Sequence, residues 1–250
     1  MDRSSLIQYF KTVRNITEAI CRPLEIEDHV SQPVTDVSPP KWHMGHTSWF
    51  YEAMFLDKMI ADYKPFHPQY AFVFNSYYES FGQRVDRNSR GNLSRPTVAE
   101  TLRYRAYITE RMCELIETVD EAAWPNFSKL IVLALNHEQQ HQELLLTDIK
   151  FILATSPLRP AYQKRQNFIE SASDLPKASF IEFNGGVYEI GYQGEAFYYD
   201  NERPVHKVYV DDFKLQNRLV TNGEFLAFIE DGSYRDFRHW LSDGWETLKT

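Results

Sequence analysis

His137-Glu138-Gln139-Gln140-His141 sets two imidazoles four residues apart inside a stretch, Leu130 to Ile152, that has the spacing of a helix packed in a bundle. Stripe positions fall at Leu130, Ala134, His137, His141, Leu144 or Leu145, Asp148 and Ile152. Both histidines therefore stand where the pattern asks for apolar side chains. An imidazole is costly to bury unless its nitrogens find partners. One cation shared by the two is the most economical partner, because i,i+4 spacing brings two ring nitrogens within reach of a single ion. A histidine pair bonded only to other side chains is the alternative.

The helical pattern extends over the first 155 or so residues. Leu6, Tyr9, Phe10, Val13, Ile16 and Ile20 predict an amphipathic helix ending near Pro23. Ser38-Pro39-Pro40 is a helix start, after which Trp42, His46, Trp49, Ala53, Leu56 and Ile60 keep a 3-4 stripe. A third helix opens at the capping box Thr97-x-x-Glu100, and a fourth after Pro125 carries the paired histidines. The connection from about Asp62 to Ser94 is long and rich in aromatic and arginine residues, and an ordered crossover of that length is usually functional. Pro157, Pro160 and Pro176 mark a linker. Beyond it, Phe180 to Phe183, Asn184-Gly185-Gly186 and Val187 to Ile190 predict a β-hairpin, Val205 to Val210 a further strand, and Thr221 caps a short helix. The fold class is thus α+β: a four-helix bundle over residues 1–156, a linker over 157–178, and over 179–250 the start of an α+β domain with too few elements to close its own core.

Two histidines do not complete a stable site. His46 lies on the apolar stripe of the second helix between Trp42 and Trp49 and is the preferred third ligand. His43, one turn earlier at the edge of that face, is the competitor, with an outer supporting or capping role as its other reading. Three neutral imidazoles leave a metal with its full charge and open positions. That arrangement serves catalytic zinc, or iron(II) with space for dioxygen, and the spacing does not choose between them. The same five residues match the zinc-peptidase pattern H-E-x-x-H, with Glu138 as general base, although a ligand upstream departs from that pattern.

Composition narrows the partners. A net charge of −8 and an excess of Asp and Glu over Lys and Arg argue against nucleic acid, whose phosphates need a basic face. No apolar run approaches the roughly 18 residues of a membrane span, and the N-terminus lacks the apolar core of a secretory signal. Two distant cysteines, Cys21 and Cys113, fit a reducing cytoplasm.

Several motifs carry a family resemblance. Pro39-Pro40-Lys41-Trp42-His43-Met44-Gly45-His46-Thr47, Trp49-Phe50-Tyr51-Glu52, Phe74-Asn75-Ser76-Tyr77-Tyr78-Glu79, Leu93-Ser94-Arg95-Pro96-Thr97 and His137 to Glu143 resemble the sulfoxide synthases of ergothioneine biosynthesis. Phe183-Asn184-Gly185-Gly186, Asn201-Glu202-Arg203-Pro204-Val205-His206 and Trp240-Leu241-Ser242-Asp243-Gly244-Trp245 resemble them too. The resemblance implies a DinB-like four-helix bundle joined to a domain similar to formylglycine-generating enzyme. It also implies a mononuclear non-haem iron(II) enzyme that uses dioxygen to join a cysteine-type thiol, cysteine or γ-glutamylcysteine, to C2 of the hercynine imidazole. The iron ligands it implies are His46, His137 and His141. Gln140 would face the substrate, and Arg84, Arg87 and Arg90 would hold the thiol's carboxylate. For the trimethylammonium group, Tyr77, Tyr78, Trp42 and Trp49 are candidates, with packing as the alternative for both tryptophans. The family's catalytic tyrosine falls beyond Thr250, so the chain is expected to be the iron-binding N-terminal part of a longer protein. The alternatives are an ovothiol-pathway synthase acting on histidine, a DinB-like zinc-dependent thiol transferase, and a metal-stabilised scaffold without activity.

Overall fold

Asp2 accepts the backbone N–H of Ser5 and so caps the first helix, α1 (Arg3–Cys21). The computed structural model describes residues 1–76, 82–164 and 176–249, and the chain falls into two units, Met1–Asn167 and Phe168–Thr250. In the first unit α2 (Pro40–Tyr51) has proline in its first turn, where the missing N–H has no helical partner to lose. It continues through one π-helical turn, Glu52–Leu56, into the short α3 (Asp57–Met59). The crossover that follows contains α4 (Tyr70–Phe74) and a 3₁₀ segment, Arg87–Asn92. Then α5 (Val98–Thr118) opens at the expected capping box of Thr97 and Glu100, and α6 (Trp124–Thr155) is the longest helix.

The four long helices make a closed ring of neighbours, α1 packing on α5 and α6 and α2 packing on the same two. Leu6, Phe10 and Val13 of α1 meet Trp49, Phe50 and Tyr51 of α2, Tyr104, Ile108 and Met112 of α5, and Phe127, Ile131 and Leu135 of α6. A smaller cluster joins Cys21, Met44, Leu145, Ile149 and Leu153.

Two expectations change. First, α2 has no outward face: all its residues from Pro40 to Tyr51 are buried. The crossover closes over it, with the Lys41 ammonium donating to the Leu93 carbonyl and Arg90 to the Ser38 hydroxyl. Glu52 ties the crossover down by accepting from Tyr63, the Phe66 backbone and Tyr104. A 3-4 stripe therefore cannot separate inside from outside on this helix. Second, the expected stripe of α6 holds at Ala134, Leu145, Asp148 and Ile152, which are buried, but is broken elsewhere. Leu130 and Leu144 are exposed, whereas Ile131, Glu138, Gln142 and Leu145 are buried, and the two histidines stand at the half-buried edge.

Charge holds Glu138 on the inward face. Glu138 is wholly buried and accepts from Thr17, Arg14 and Arg105, while the two arginines are themselves 1% and 0% exposed. Arg14 also donates to Thr109, Ser48 and the Arg105 carbonyl, and Arg105 to Thr47 and the Arg14 carbonyl. The network thereby ties α1, α2, α5 and α6 together. Burial raises the Glu138 carboxyl's pKa, but the two guanidiniums outweigh it and hold it down to about 2.

In the second unit the predicted hairpin between the first two strands does not form. Instead β1 (Phe180–Phe183) pairs antiparallel with β4 (Phe213–Gln216), and β2 (Gly186–Ile190) with β3 (His206–Val210). The two ladders share one register, Phe183 facing Phe213 and Gly186 facing Val210, so Asn184-Gly185 lies opposite Asp211-Asp212. The glycine serves this joint rather than a tight turn. A Cβ on Gly185 would lie 2.8 Å from the Asp212 nitrogen and the Val210 oxygen, and its N–H donates to the Asp212 carboxylate. Helices α7 (Asn222–Glu230), capped by Thr221 as expected, and α8 (Ser242–Leu248) follow. Among the described residues this unit has no buried hydrophobic side chain: Ile181, Leu215, Val220 and Leu226 are each more than half exposed. Two-stranded ladders of this size are marginal alone.

Removing the Glu138 carboxylate leaves two buried guanidiniums without their counter-charge. Glu138→Ala is expected to lower stability by about 3–5 kcal/mol, measured by urea unfolding. A loss below about 1 kcal/mol would contradict the network's role.

Candidate metal centre

Three imidazoles meet where α2 faces α6. One nitrogen from each of His46, His137 and His141 lies within 4.8 Å of the others. The ring centroids are 5.3 Å apart for His46 and His137, 4.6 Å for His46 and His141, and 4.7 Å for the pair on α6. Of the two candidates on α2, His46 is the one that joins the cluster.

Each ring is held in a particular way. The Nδ1–H of His46 donates to the Phe74 carbonyl at 2.6 Å, and since a carbonyl only accepts, Nε2 is left as the bare nitrogen, free to accept or to bind a cation. Gly45 makes this contact possible, because a Cβ there would lie 2.0 Å from the Phe74 ring. Trp42 stacks on His46 at 4.7 Å with an angle of 9°. His141 Nδ1 is 2.9 Å from His43 Nδ1, and His43 Nε2 is 2.9 Å from the Asp148 carboxylate. Phe50 lies against His137, whose buried Nδ1 has no hydrogen-bond partner among the described residues.

Electrostatics keep the cluster uncharged. Burial pushes the pKa of all four histidines down, and for His46 and His141 the neighbouring imidazoles push further in the same direction. His137 is held at about 4. Neutral imidazoles are the form that binds a cation, and the unpartnered nitrogen of His137 is what a bound ion would relieve. The donor set fits a first-row divalent metal.

The remaining predicted site residues are placed differently. Glu138 is occupied by Arg14 and Arg105, which removes the base that a peptidase reading needs. Gln140 is exposed on α6. Arg90 is buried, its guanidinium 3.4 Å from the Trp42 ring and bonded to Ser38 and Ser76. Arg87 is exposed and donates to the carbonyls of Thr35 and Asp36, and Arg84 is half-buried. Arg90 and Arg87 both lie close enough to lower the pKa of His43, so the cluster has a positive flank. Trp42 and Trp49 are 2% exposed and serve as packing. Tyr77 and Tyr78 lie outside the described residues. Sequence reasoning did not single out Arg14 and Arg105, although both fall at helical spacing among the apolar residues of α1 and α5.

Comparison with known proteins agrees with this architecture. Residues 9–145 match the profile of the DinB superfamily, and residues 165–249 that of the Sulfatase-modifying factor enzyme 1-like domain. A hercynine oxygenase of Mycolicibacterium smegmatis is 28% identical over 218 residues, covering 84% of this chain and 46% of that protein. Those of Mycolicibacterium thermoresistibile and Mycobacterium tuberculosis are 29% and 30% identical, over 64% and 48% of this chain and 34% and 27% of theirs. The chain thus spans less than half the length of the curated relatives it matches.

Gly45→Ala is expected to displace Phe74 and cost about 1–3 kcal/mol in denaturant unfolding. An unchanged midpoint would mean that Phe74 can move without loss. The buried histidines set a pH dependence. Their folded pKa values lie below the unfolded 6.5, so the unfolded chain binds more protons. Their stability contribution is full above about pH 6.5 and is lost as pH falls toward about 4, the value at His137. The melting temperature of metal-free protein should therefore fall between pH 7 and pH 5, and a flat profile would contradict the burial of neutral rings.

Proposed function

The chain belongs to the DinB superfamily, and on that premise we propose that it is the metal-binding part of a non-haem iron(II)- and dioxygen-dependent sulfoxide synthase, one that joins a cysteine-type thiol to C2 of the hercynine imidazole in ergothioneine biosynthesis. The observation that carries this reading is the convergence of three neutral imidazoles, from two helices, on one point in a chain whose relatives are named hercynine oxygenases.

His46, His137 and His141 would hold the iron. When bound, iron(II) supplies the one-electron chemistry that lets dioxygen react with a thiol. The protein's own part is to position and to exclude. Three neutral ligands leave the site's charge unbalanced, which favours binding of the thiol as thiolate. The positive flank of Arg87 and Arg90 suits a ligand with a carboxylate, and Arg84 belongs to the same crossover. Gln140, one residue before His141 and exposed, would face the small-molecule partner. Holding thiol and imidazole side by side turns an encounter of several molecules into a positioned reaction. Trp42, stacked between its neighbours, keeps water from the inner side of His46.

The reading places the protein in the cytoplasm. Both cysteines are unpaired, and burial pushes the Cys21 thiol up to about 12, which keeps it inert. Among the described residues no helix is long and apolar enough to cross a membrane.

The gene product containing this chain, given Fe(II), hercynine, cysteine or γ-glutamylcysteine, and air, should consume oxygen and form a sulfoxide detectable by mass spectrometry. Absence of product with bound iron confirmed would overturn the proposal. Product from histidine but not hercynine would reassign the enzyme to ovothiol chemistry, and oxygen-independent thiol transfer with zinc would reassign it to a transferase.

A further inference from the structure

His43 is the histidine that the ligand set leaves over, and it is not idle. It is 2% exposed, and both of its nitrogens are engaged. The Asp148 carboxylate on its far side is buried and also accepts the backbone N–H of Ser38 at 2.9 Å. Ser38 in turn accepts from Arg90, whose guanidinium covers Trp42. The start of α2 is thus fastened to α6 at Asp148, with an imidazole inside the joint.

The chemistry of these groups gives the chain of hydrogen bonds one direction. A carboxylate only accepts, so His43 Nε2 carries the proton and donates to Asp148. A neutral imidazole protonated at Nε2 has a bare Nδ1, which accepts. The 2.9 Å contact between the two Nδ1 atoms is then a donation from His141 to His43. Nε2 of His141 is left bare. His46 reaches the same tautomer by a different route, through the Phe74 carbonyl. We propose that His43 and Asp148 are positioning residues for the metal site: they fix the ring of His141 with Nδ1 protonated and Nε2 available to the cation. The proposal rests on the reading of His46, His137 and His141 as ligands. It assigns His43 to their support and excludes it from the ligand set.

The test is equilibrium binding of Co(II), followed by its visible d–d absorption, to wild type, His43→Phe, Asp148→Ala and His141→Ala. His43→Phe keeps an aromatic ring, slightly larger than imidazole, and removes both nitrogens. Loss of an outer partner of this kind should weaken binding about 10–100-fold in the first two variants, and loss of the ligand should abolish it in the third. Affinities within about threefold of wild type for His43→Phe and Asp148→Ala, with His141→Ala inactive in binding, would overturn the positioning role and leave the ligands standing. Wild-type affinity in His141→Ala would instead overturn the ligand assignment. Should the variants not fold, the wild-type protein loaded with Zn(II) and labelled with nitrogen-15 decides the matter. A protonated Nδ1 and a metal-shifted Nε2 on His141, with both His43 nitrogens free of metal shift, are expected. A metal-shifted nitrogen on His43, or an unprotonated Nδ1 on His141, would refute the proposal.

Discussion

The buried carboxylate of Glu138 decides how the bundle is put together. A charge wholly out of water must be met by opposite charge and by hydrogen bonds, and Arg14 and Arg105 meet it from α1 and α5 while Thr47 and Ser48 bring in α2. Replacing such a network by apolar residues often stabilises a fold, so its presence is better understood as fixing register. Here the register matters because Glu138 sits between the two α6 histidines of the cluster. Once its side chain is directed into the core, His137 is set on the half-buried edge of the helix, and His141, one turn on, stands above it.

The histidine cluster is built with different anchors for each ring. His46 is held by a backbone carbonyl, His141 by an imidazole leaning on a carboxylate, and His137 has an unpartnered buried nitrogen. The first two devices remove rotational freedom before any ion arrives. Pre-orientation of this kind lowers the entropy lost when a cation is captured. The crossover contributes as well, since Phe74 supplies the carbonyl and Arg90 braces the tryptophan stacked on His46. A segment without regular periodicity therefore helps to hold the site together.

Much of this was legible in the chain itself. His46, His137 and His141 stood out because polar rings occupied apolar positions, and the capping residues at Asp2 would have been as readable as those found at Thr97 and Thr221. The exact inward face of α6 was not legible, because Glu138 looks like an ordinary surface residue until its two arginine partners are known. On α2 the periodicity argument reached His46 although the helix is buried all round, where the stripe carries no information. The strand pairing of the second unit was missed for a local reason. Asn-Gly-Gly has the composition of a tight turn, yet here the glycine admits the close approach of the opposite strand, and that pairing is set by residues about 26 positions away in sequence.

The three histidines differ in their enclosure: one is on a helix buried on every side, and two are on the half-buried flank of another. That asymmetry gives the site a back wall and a doorway. Exchange of a donor, for example an oxygen for a nitrogen, has room to succeed at the doorway, where a new side chain can lean outward. At the back wall any replacement must match the imidazole in shape and also find a use for the Phe74 carbonyl.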